Sequence, residues 1–549
     1  MKNIMQLRFV FLVVCGGFMA FPFVADANGF PSARTGEGVL GIDNGRQLFV
    51  DDYLVSSMTN IVRTWPKPVK VGDSPVLRPE TDAERETASG GTRAPCSIAF
   101  SGGLWWDPRR KAYRLWYQAG WGTHMAYAES ADGITWRRPN LDVVPGTNLL
   151  LPGVQLDSWC VWPDYTREDP YSKWWLMVSE PGDVTRTVLY AAEDGFHWQY
   201  VRDAGASGDR STMFFDPFRK NWVFSLRSYY SGKRDRARFD VSDLNDAAWR
   251  WPKEFIGFGE WSRRTDWTDD DERPSNRAAP YAKAWLKLDA RDVQDSEPGL
   301  NRNGSLYCVD AVPYESIMLG AFQIHWGPEN WDCLCRGLPK ITDISFAYSR
   351  NGTDYMRPDR TGAIRASRWG SGRWDTGYVS PVAGICMVSD EKLRFLYNGF
   401  RGDPSVTNLN WQAGWAKCGM HFNGAIGLAE LRRDGFCGLV AEGRGEIVTK
   451  SIRFSGSQLF VNGNWLYGSL EVDVLDEKGG LLATLPAVSG DGTKIRVGDV
   501  GAFAGKPVRF RFRNNLGTLY SFWVARDQSG KSFGYVAAGG PEYSGVRDE

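Results

Sequence analysis

Three segments of this chain read D-P-x-x-K-x-aromatic: Asp107-Pro-Arg-Arg-Lys-Ala-Tyr113, Asp169-Pro-Tyr-Ser-Lys-Trp-Trp175 and Asp216-Pro-Phe-Arg-Lys-Asn-Trp222. Proline fixes φ and aspartate can hydrogen-bond its own backbone, so each Asp-Pro opens a turn. Each turn runs into a segment rich in aromatic and branched residues: Tyr113-Arg-Leu-Trp-Tyr117, Trp174-Trp-Leu-Met-Val178 and Trp222-Val-Phe-Ser-Leu226. Such segments fit a pleated, buried strand. Two degenerate copies follow, at Ile317-Met-Leu-Gly-Ala-Phe322 and Leu393-Arg-Phe-Leu-Tyr397. A hairpin repeated about every 50 to 90 residues points to radial repetition of small sheets, a β-propeller.

A second repeated tag closes several of these units. Ser130-Ala-Asp-Gly-Ile-Thr-Trp136 and Ala192-Glu-Asp-Gly-Phe-His-Trp198 are clear copies. Ser349-Arg-Asn-Gly-Thr-Asp-Tyr355 is a variant, and Ser242-Asp-Leu-Asn-Asp-Ala-Ala-Trp249 is a lengthened one. Asp-Gly or Asn-Gly supplies the positive-φ residue of a tight turn, and the aromatic is free to pack between blades. Five strand clusters result, at about 93–142, 155–204, 207–252, 288–368 and 372–440. The polar stretch 253–287 reads as an insertion between the third and fourth clusters.

From about residue 441 short alternating strands crowd together, among them Ser469-Leu-Glu-Val-Asp-Val-Leu475, Val508-Arg-Phe-Arg-Phe512 and Leu519-Tyr-Ser-Phe-Trp-Val524. That spacing suits an antiparallel β-sandwich. The expected fold is all-β: a five-bladed propeller over 41–440, a sandwich over 441–530 and a C-terminal tail over 531–549.

At the other end, a basic start is followed by an apolar run, Phe9 to Ala25, and a small-x-small site, Ala25-Asp-Ala27. Residues 1–27 therefore read as a signal peptide, and the protein as exported to the periplasm or beyond. Small residues normally precede a lipidated cysteine, and Cys15 follows Leu12-Val-Val, so lipid anchoring is not expected. No later stretch is long and apolar enough for an integral membrane span. The 65 basic and 65 acidic residues cancel, which removes any bulk electrostatic reason to expect nucleic acid. Four scattered histidines and cysteines without zinc spacing give no metal site, and no dinucleotide or phosphate-loop motif is present, so no cofactor is expected. Cysteine pairing and oligomeric state are not given by the sequence.

The repeat also aligns the blades. In a propeller the first strand of each blade lines the axis, and its first residues meet at one mouth. Asp209 stands seven residues before the turn aspartate Asp216, Asp157 seven before Asp164, and Asn303 seven before Asp310. This register brings Asp157, Asp209 and Asn303 together from successive blades, with Arg210 beside Asp209. The equivalent places are Phe100-Ser101 in the first cluster and Asp375 to Ser380 in the fifth. Paired carboxyls at one mouth suit glycoside chemistry, in which one donates a proton and another attacks or activates water. Asp157, Asp209 and, on the rim before the fourth first strand, Glu297 are the candidate catalytic residues. Arg210, Asn303, Asp52 and Asp375 are the candidate substrate contacts. Most of the 25 tryptophans belong in sheet cores; a few exposed ones would serve as stacking surfaces for sugar rings.

Arg46-Gln-Leu-Phe-Val-Asp-Asp-Tyr-Leu-Val55, Gly208-Asp-Arg-Ser211 with Asp216-Pro217, Gly427-Leu-Ala-Glu-Leu-Arg-Arg-Asp-Gly-Phe436 and Leu519-Tyr-Ser-Phe522 resemble exported bacterial proteins described as glycoside hydrolase family 32-like. These stand near the five-bladed superfamily of families 32, 43 and 130. The resemblance spans about 41 to 526 and implies five blades, a C-terminal sandwich and hydrolysis of plant- or algal-type glycans. The N-D-P-N-G and E-C motifs of the family 32 enzymes are absent, so no catalytic residue is carried over by motif. The resulting expectation is an exported glycoside hydrolase acting on a carbohydrate. The alternatives are a non-catalytic glycan-binding propeller and a glycoside phosphorylase.

Overall fold

The computed structural model describes residues 38–85, 94–154, 158–180, 185–250, 280–293, 304–407 and 419–549. Five small antiparallel sheets are arranged around one axis. Blade I comprises Ser97–Asp107, Ala112–Ala119, His124–Ser130 and Leu149–Leu150. Blade II comprises Ser158–Pro163, Trp174–Glu180, Arg186–Ala192 and Gln199–Ala206. Blade III comprises Thr212–Asp216, Asn221–Ser228, Asp235–Val241 and Lys283–Leu286. Blade IV is built on Ser305–Glu315, Ile317–Gly327 and Ile341–Ser349. Blade V contains Gly377–Ser380 and Met387–Val388, then Lys392–Phe400 and Gly424–Arg432. Its outer strand, Val69–Lys70, comes from before blade I and closes the ring.

The first strands do line the axis, because they bond one another around it. Trp105 Nε1 of blade I donates to Val161 O of blade II at 2.8 Å. Arg210 N of blade III donates to Ser158 Oγ of blade II at 2.7 Å. Thr212 Oγ1 of blade III donates to Val309 O of blade IV. Ser101 Oγ of blade I donates to Asp310 Oδ2 of blade IV at 3.1 Å. A parallel bridge from Ser101 to Val382 brings in blade V.

The two sequence tags have distinct structural tasks. Asp107 and Asp216 cap their turns by accepting from the backbone N–H groups of Arg109 at 3.0 Å and Phe218 at 3.1 Å. In both hairpins the motif lysine, Lys111 or Lys220, takes the left-handed conformation. Blade II has the expected longer hairpin, from Pro163 to Trp174. The Asp-Gly tags lock neighbouring blades: Trp116 Nε1 donates to Gly195 O at 2.9 Å, and Arg238 Nη1 to Gly352 O at 2.5 Å. Tryptophans fill the same seams; Trp105 meets Trp162 at 4.5 Å, and Trp116 meets Trp174 at 4.8 Å.

The outer divisions differ from those read in the sequence. Residues 280–287 are not insertion, since Lys283–Leu286 pairs with Asp235–Val241 as the outer strand of blade III. Gln47–Leu48, Val55–Thr59 and Val62–Thr64 belong to the second sheet and not to the propeller. The reason is apolar: Phe49 packs against Phe512 and Phe522, in a core it shares with Leu54, Ile447 and Val472. That second domain is one eight-stranded antiparallel sheet. Its long strands Gln458–Leu475 and Arg509–Ala525 shift register between Asn464 and Ser469, and Val461 and Leu470 from either side of the shift enter the same core.

Nor are residues 531–549 a loose tail. Tyr535–Val536 pairs with Tyr314 and Glu315 of blade IV. Ala538 N then donates to Cys386 O of blade V at 3.0 Å, while Trp106 N of blade I donates to Ala538 O at 2.7 Å. These contacts all fall at the C-terminal ends of the axial strands, so the tail crosses the end of the channel opposite Asp209.

Candidate active site

Asp209 precedes the first strand of blade III and sits at the mouth with 27% of its side chain exposed. It does not stand free. Arg227 Nη1, from the second strand of the same blade, donates to Oδ1. Arg234, in the following hairpin, lies 3.2 Å from Oδ1 and donates to Oδ2 at 3.3 Å and to the Asp209 carbonyl at 2.9 Å. Burial acts to raise the pKa of this carboxyl, but Arg227, Arg234 and Lys340 outweigh it and hold it well below the usual carboxylate range. Asp209 is therefore an ionised group at neutral pH. It can attack, accept a proton or stabilise positive charge, but it cannot be the proton donor.

Around it stand residues from blades III and IV. Arg227 Nε donates to Tyr229 Oη at 3.0 Å. The Arg234 guanidinium lies 3.7 Å above the Tyr307 ring, and Lys340 Nζ donates to Tyr307 Oη at 3.3 Å. The His325 ring packs 5.4 Å from Tyr307. Burial, reinforced by Lys340 and Arg234, holds this imidazole well below its usual pKa, so it stays neutral.

Arg210 lies deeper in the channel. Its side chain has no exposed surface, so the expectation that it contacts substrate is corrected. Its guanidinium covers Phe100 of blade I at 4.0 Å, and Nη2 donates to Gln323 Oε1 of blade IV at 3.1 Å. It acts as a plug across the axis. Near it Asp310 accepts from Ser101 and lies 3.9 Å from Cys308 Sγ. Burial pushes the Asp310 carboxyl up to about 6, against the pull of Arg210. Three non-glycine residues at this level have positive φ: Phe100 at 49°, Ser101 at 76° and Arg210 at 60°. Such strain persists only where the surroundings impose it, and it concentrates at functional sites.

The remaining candidates are dispersed. Asp157, Glu297 and Asn303 lie outside the described residues. Asp375 is buried and occupied, accepting from Lys70 Nζ at 2.5 Å and Tyr397 Oη at 3.0 Å, which ties the outer strand of blade V to its interior. It is a structural carboxylate and not a substrate contact. Asp52 is 74% exposed and pairs with Arg63 at 2.7 Å in the segment that joins the second sheet, which removes it from the mouth. The fourth-blade register is also corrected. Asp310 is not a turn residue, because its strand continues to a tight turn at Glu315 and Ser316.

Sequence reasoning missed Arg227, Arg234, Lys340 and Asp310. Arg234 stands in a visible charge run, Lys233-Arg-Asp-Arg236, at a hairpin end that faces the mouth. Lys340 carries no local signal. Cys96, Cys160, Cys308, Cys333, Cys335, Cys386 and Cys437 are free thiols, so none of these seven contributes a disulfide.

No family model and no curated protein matches the chain. Among solved structures it is similar to an N-acetylgalactosamine deacetylase from F. plautii, at 13% identity and TM-score 0.39, covering 69% of this chain and 97% of that one. It is also similar to a GH32 beta-fructofuranosidase from Bombyx mori, at 11% identity and TM-score 0.34, covering 83% and 94%. A third is an exo-beta-1,3-galactanase from Phanerochaete chrysosporium, at 9% identity and TM-score 0.32, covering 77% and 95%. The five-bladed arrangement stands on the sheet pairing of this chain itself.

Proposed function

We propose that this protein is an exported glycoside hydrolase whose reaction centre is the open mouth of the propeller. One observation carries the reading: at the open end of the axis a partly exposed carboxylate, Asp209, is held ionised by Arg227 and Arg234. With the tail bonded to blades IV, V and I at the far end, this mouth would be the side from which a saccharide reaches the axis. In glycoside cleavage Asp209 would be the ionised partner, the nucleophile or the base that activates water. The proton donor then has to be a second carboxyl on the rim, the role assigned to Glu297 or Asp157.

The test is a screen of the purified chain against polysaccharides and aryl glycosides, with Asp209→Asn, Asp157→Asn and Glu297→Gln beside it. Product release by wild type, lost in Asp209→Asn, supports the reading. Equal release by both removes Asp209 from the chemistry. A second reading has its own support: both Asp209 oxygens are engaged by arginines, as they would be in a purely structural ion pair. In that case the protein binds glycan without cleaving it, and titration with the same saccharides shows affinity without product.

A further inference from the structure

We propose that the mouth contains an oxyanion subsite formed by Arg227, Arg234 and Lys340, which receives a carboxylate or sulfate ester carried by the glycan. This rests on the carbohydrate reading above and goes further, by assigning the substrate a negative charge.

The whole chain is neutral, with 65 basic and 65 acidic residues. At the mouth, among the described residues, three cations converge on a single carboxylate: Arg227, Arg234 and Lys340 all act on Asp209. His325 adds no charge because it is held neutral. Behind them Arg210 and Arg236 are fully buried, and Arg236 Nη2 donates to the Arg210 carbonyl at 2.7 Å. Asp310 faces Arg210 and Arg236 from the channel, which leaves Asp209 as the one carboxylate among the described residues set against Arg227, Arg234 and Lys340.

The donors are also incompletely used. Lys340 is 6% exposed, yet among the described residues its ammonium makes one hydrogen bond, to Tyr307. An ammonium carries three donors. Arg234 is 8% exposed, and its Nε has no partner among the described residues. Nearly buried cations with idle donors are costly unless an anion neutralises them. Arg234 and Lys340 both contact Tyr307, one over its ring and one at its hydroxyl, and both bear on Asp209. A forked guanidinium beside a compact ammonium suits a planar carboxylate or a tetrahedral sulfate. Asp209 would then lie next to the anionic substituent, with its own charge offset by the arginines.

The experiment is calorimetric titration of the full chain at constant ionic strength with matched pairs. These are oligogalacturonate and its methyl ester, and sulfated galactan oligosaccharides and their desulfated forms, with inorganic phosphate and sulfate as separate arms. Lys340→Gln removes one donor while leaving both arginine contacts to Asp209 in place, and Lys340→Arg keeps the charge. The expected result is that one charged member binds about 10-fold or more tightly than its neutral partner, that added salt erodes the difference, and that it is lost in Lys340→Gln and retained in Lys340→Arg. Equal affinity for charged and neutral members overturns the subsite while leaving the carbohydrate reading intact, as does a preference that survives in Lys340→Gln. Lys340-dependent binding of inorganic phosphate or sulfate with no glycan bound in any form overturns the carbohydrate reading and the glycan source of the anion. Binding of none of the probes overturns both.

Discussion

Arg46 Nη1 lies 3.1 Å from Asp434 Oδ2, and neither side chain has any solvent exposure. The pair is the centre of a wider network at the junction of the two domains. Arg46 Nε is 3.6 Å from Glu315, at the turn of blade IV, and Arg433 Nη2 is 2.5 Å from the same carboxyl. Tyr314 and Ser521 donate to Asp434 at 2.5 and 2.6 Å, and Ser532 of the tail donates to Glu315 at 2.8 Å. Removing one member of a buried ionic network strands the others without compensation, at a cost of about 3–5 kcal/mol. Arg46→Met is therefore expected to lower the unfolding free energy by an amount in that range, read as a fall in the urea midpoint at unchanged m. Little change in the midpoint would show that Glu315 and Asp434 are satisfied by Arg433 alone.

Asp310 gives a pH signature. Its ordinary pKa is 3.8, and in the folded protein it is raised to about 6, so the folded state holds a proton that the unfolded state releases. The stabilising contribution is complete below the unfolded value and disappears as pH rises through the folded one. Asp310→Asn lacks this titration. Between pH 4 and 7 the wild type should lose up to about 3 kcal/mol relative to the variant, read from paired denaturation curves across that range. A constant difference would mean that Asp310 is ionised throughout.

These sites differ in how far the sequence exposes them. The blades are legible because each hairpin is local: Asp216, Pro217 and Trp222 specify a turn and a strand within a few residues, and the pairing of Asp216 with Asn221 follows. Asp209 is legible for the same reason, being counted from that turn. Blade IV lacks the aspartate-proline marker, so counting from Asp310 misplaces its register, and Asp310 lies within the axial strand. Segments that pair over long sequence distances leave no local trace. Val69 meets Glu430, and Tyr535 meets Glu315, through ladder completion that only the folded chain defines. Arg234 and Lys340 come from different blades, and their meeting at Tyr307 depends on the closed ring.

The packing of the tail against blade V can be tested at Gly540. A Cβ there would stand 2.0 Å from the Val388 carbonyl oxygen, a backbone atom that cannot swing aside. Gly540→Ala should displace the tail from blade V and cost about 1–3 kcal/mol. Limited proteolysis should then remove the C-terminal residues faster than in wild type. Unchanged protection would show that the tail is anchored by its pairing with Tyr314 and Glu315 without help from Val388.

Asp209→Asn tests the mouth itself. The amide preserves shape and can still accept one of the hydrogen bonds now made by Arg227 and Arg234, so the blade should remain folded. The lost charge leaves two arginines less compensated, and stability should fall by about 1–3 kcal/mol. If the carboxylate is the attacking or proton-accepting group, turnover should fall by about 10²–10⁴-fold, far more than such a loss of stability explains at a temperature where the variant is folded. The pH profile adds a separate check. Asp209 is held below the usual carboxylate range, so it remains ionised through mildly acidic conditions. Loss of activity on the acid side of the optimum must then come from another group, while the basic limb reports deprotonation of the proton donor. A variant that keeps the wild-type rate and both limbs would confine Asp209 to its ion pairs with Arg227 and Arg234.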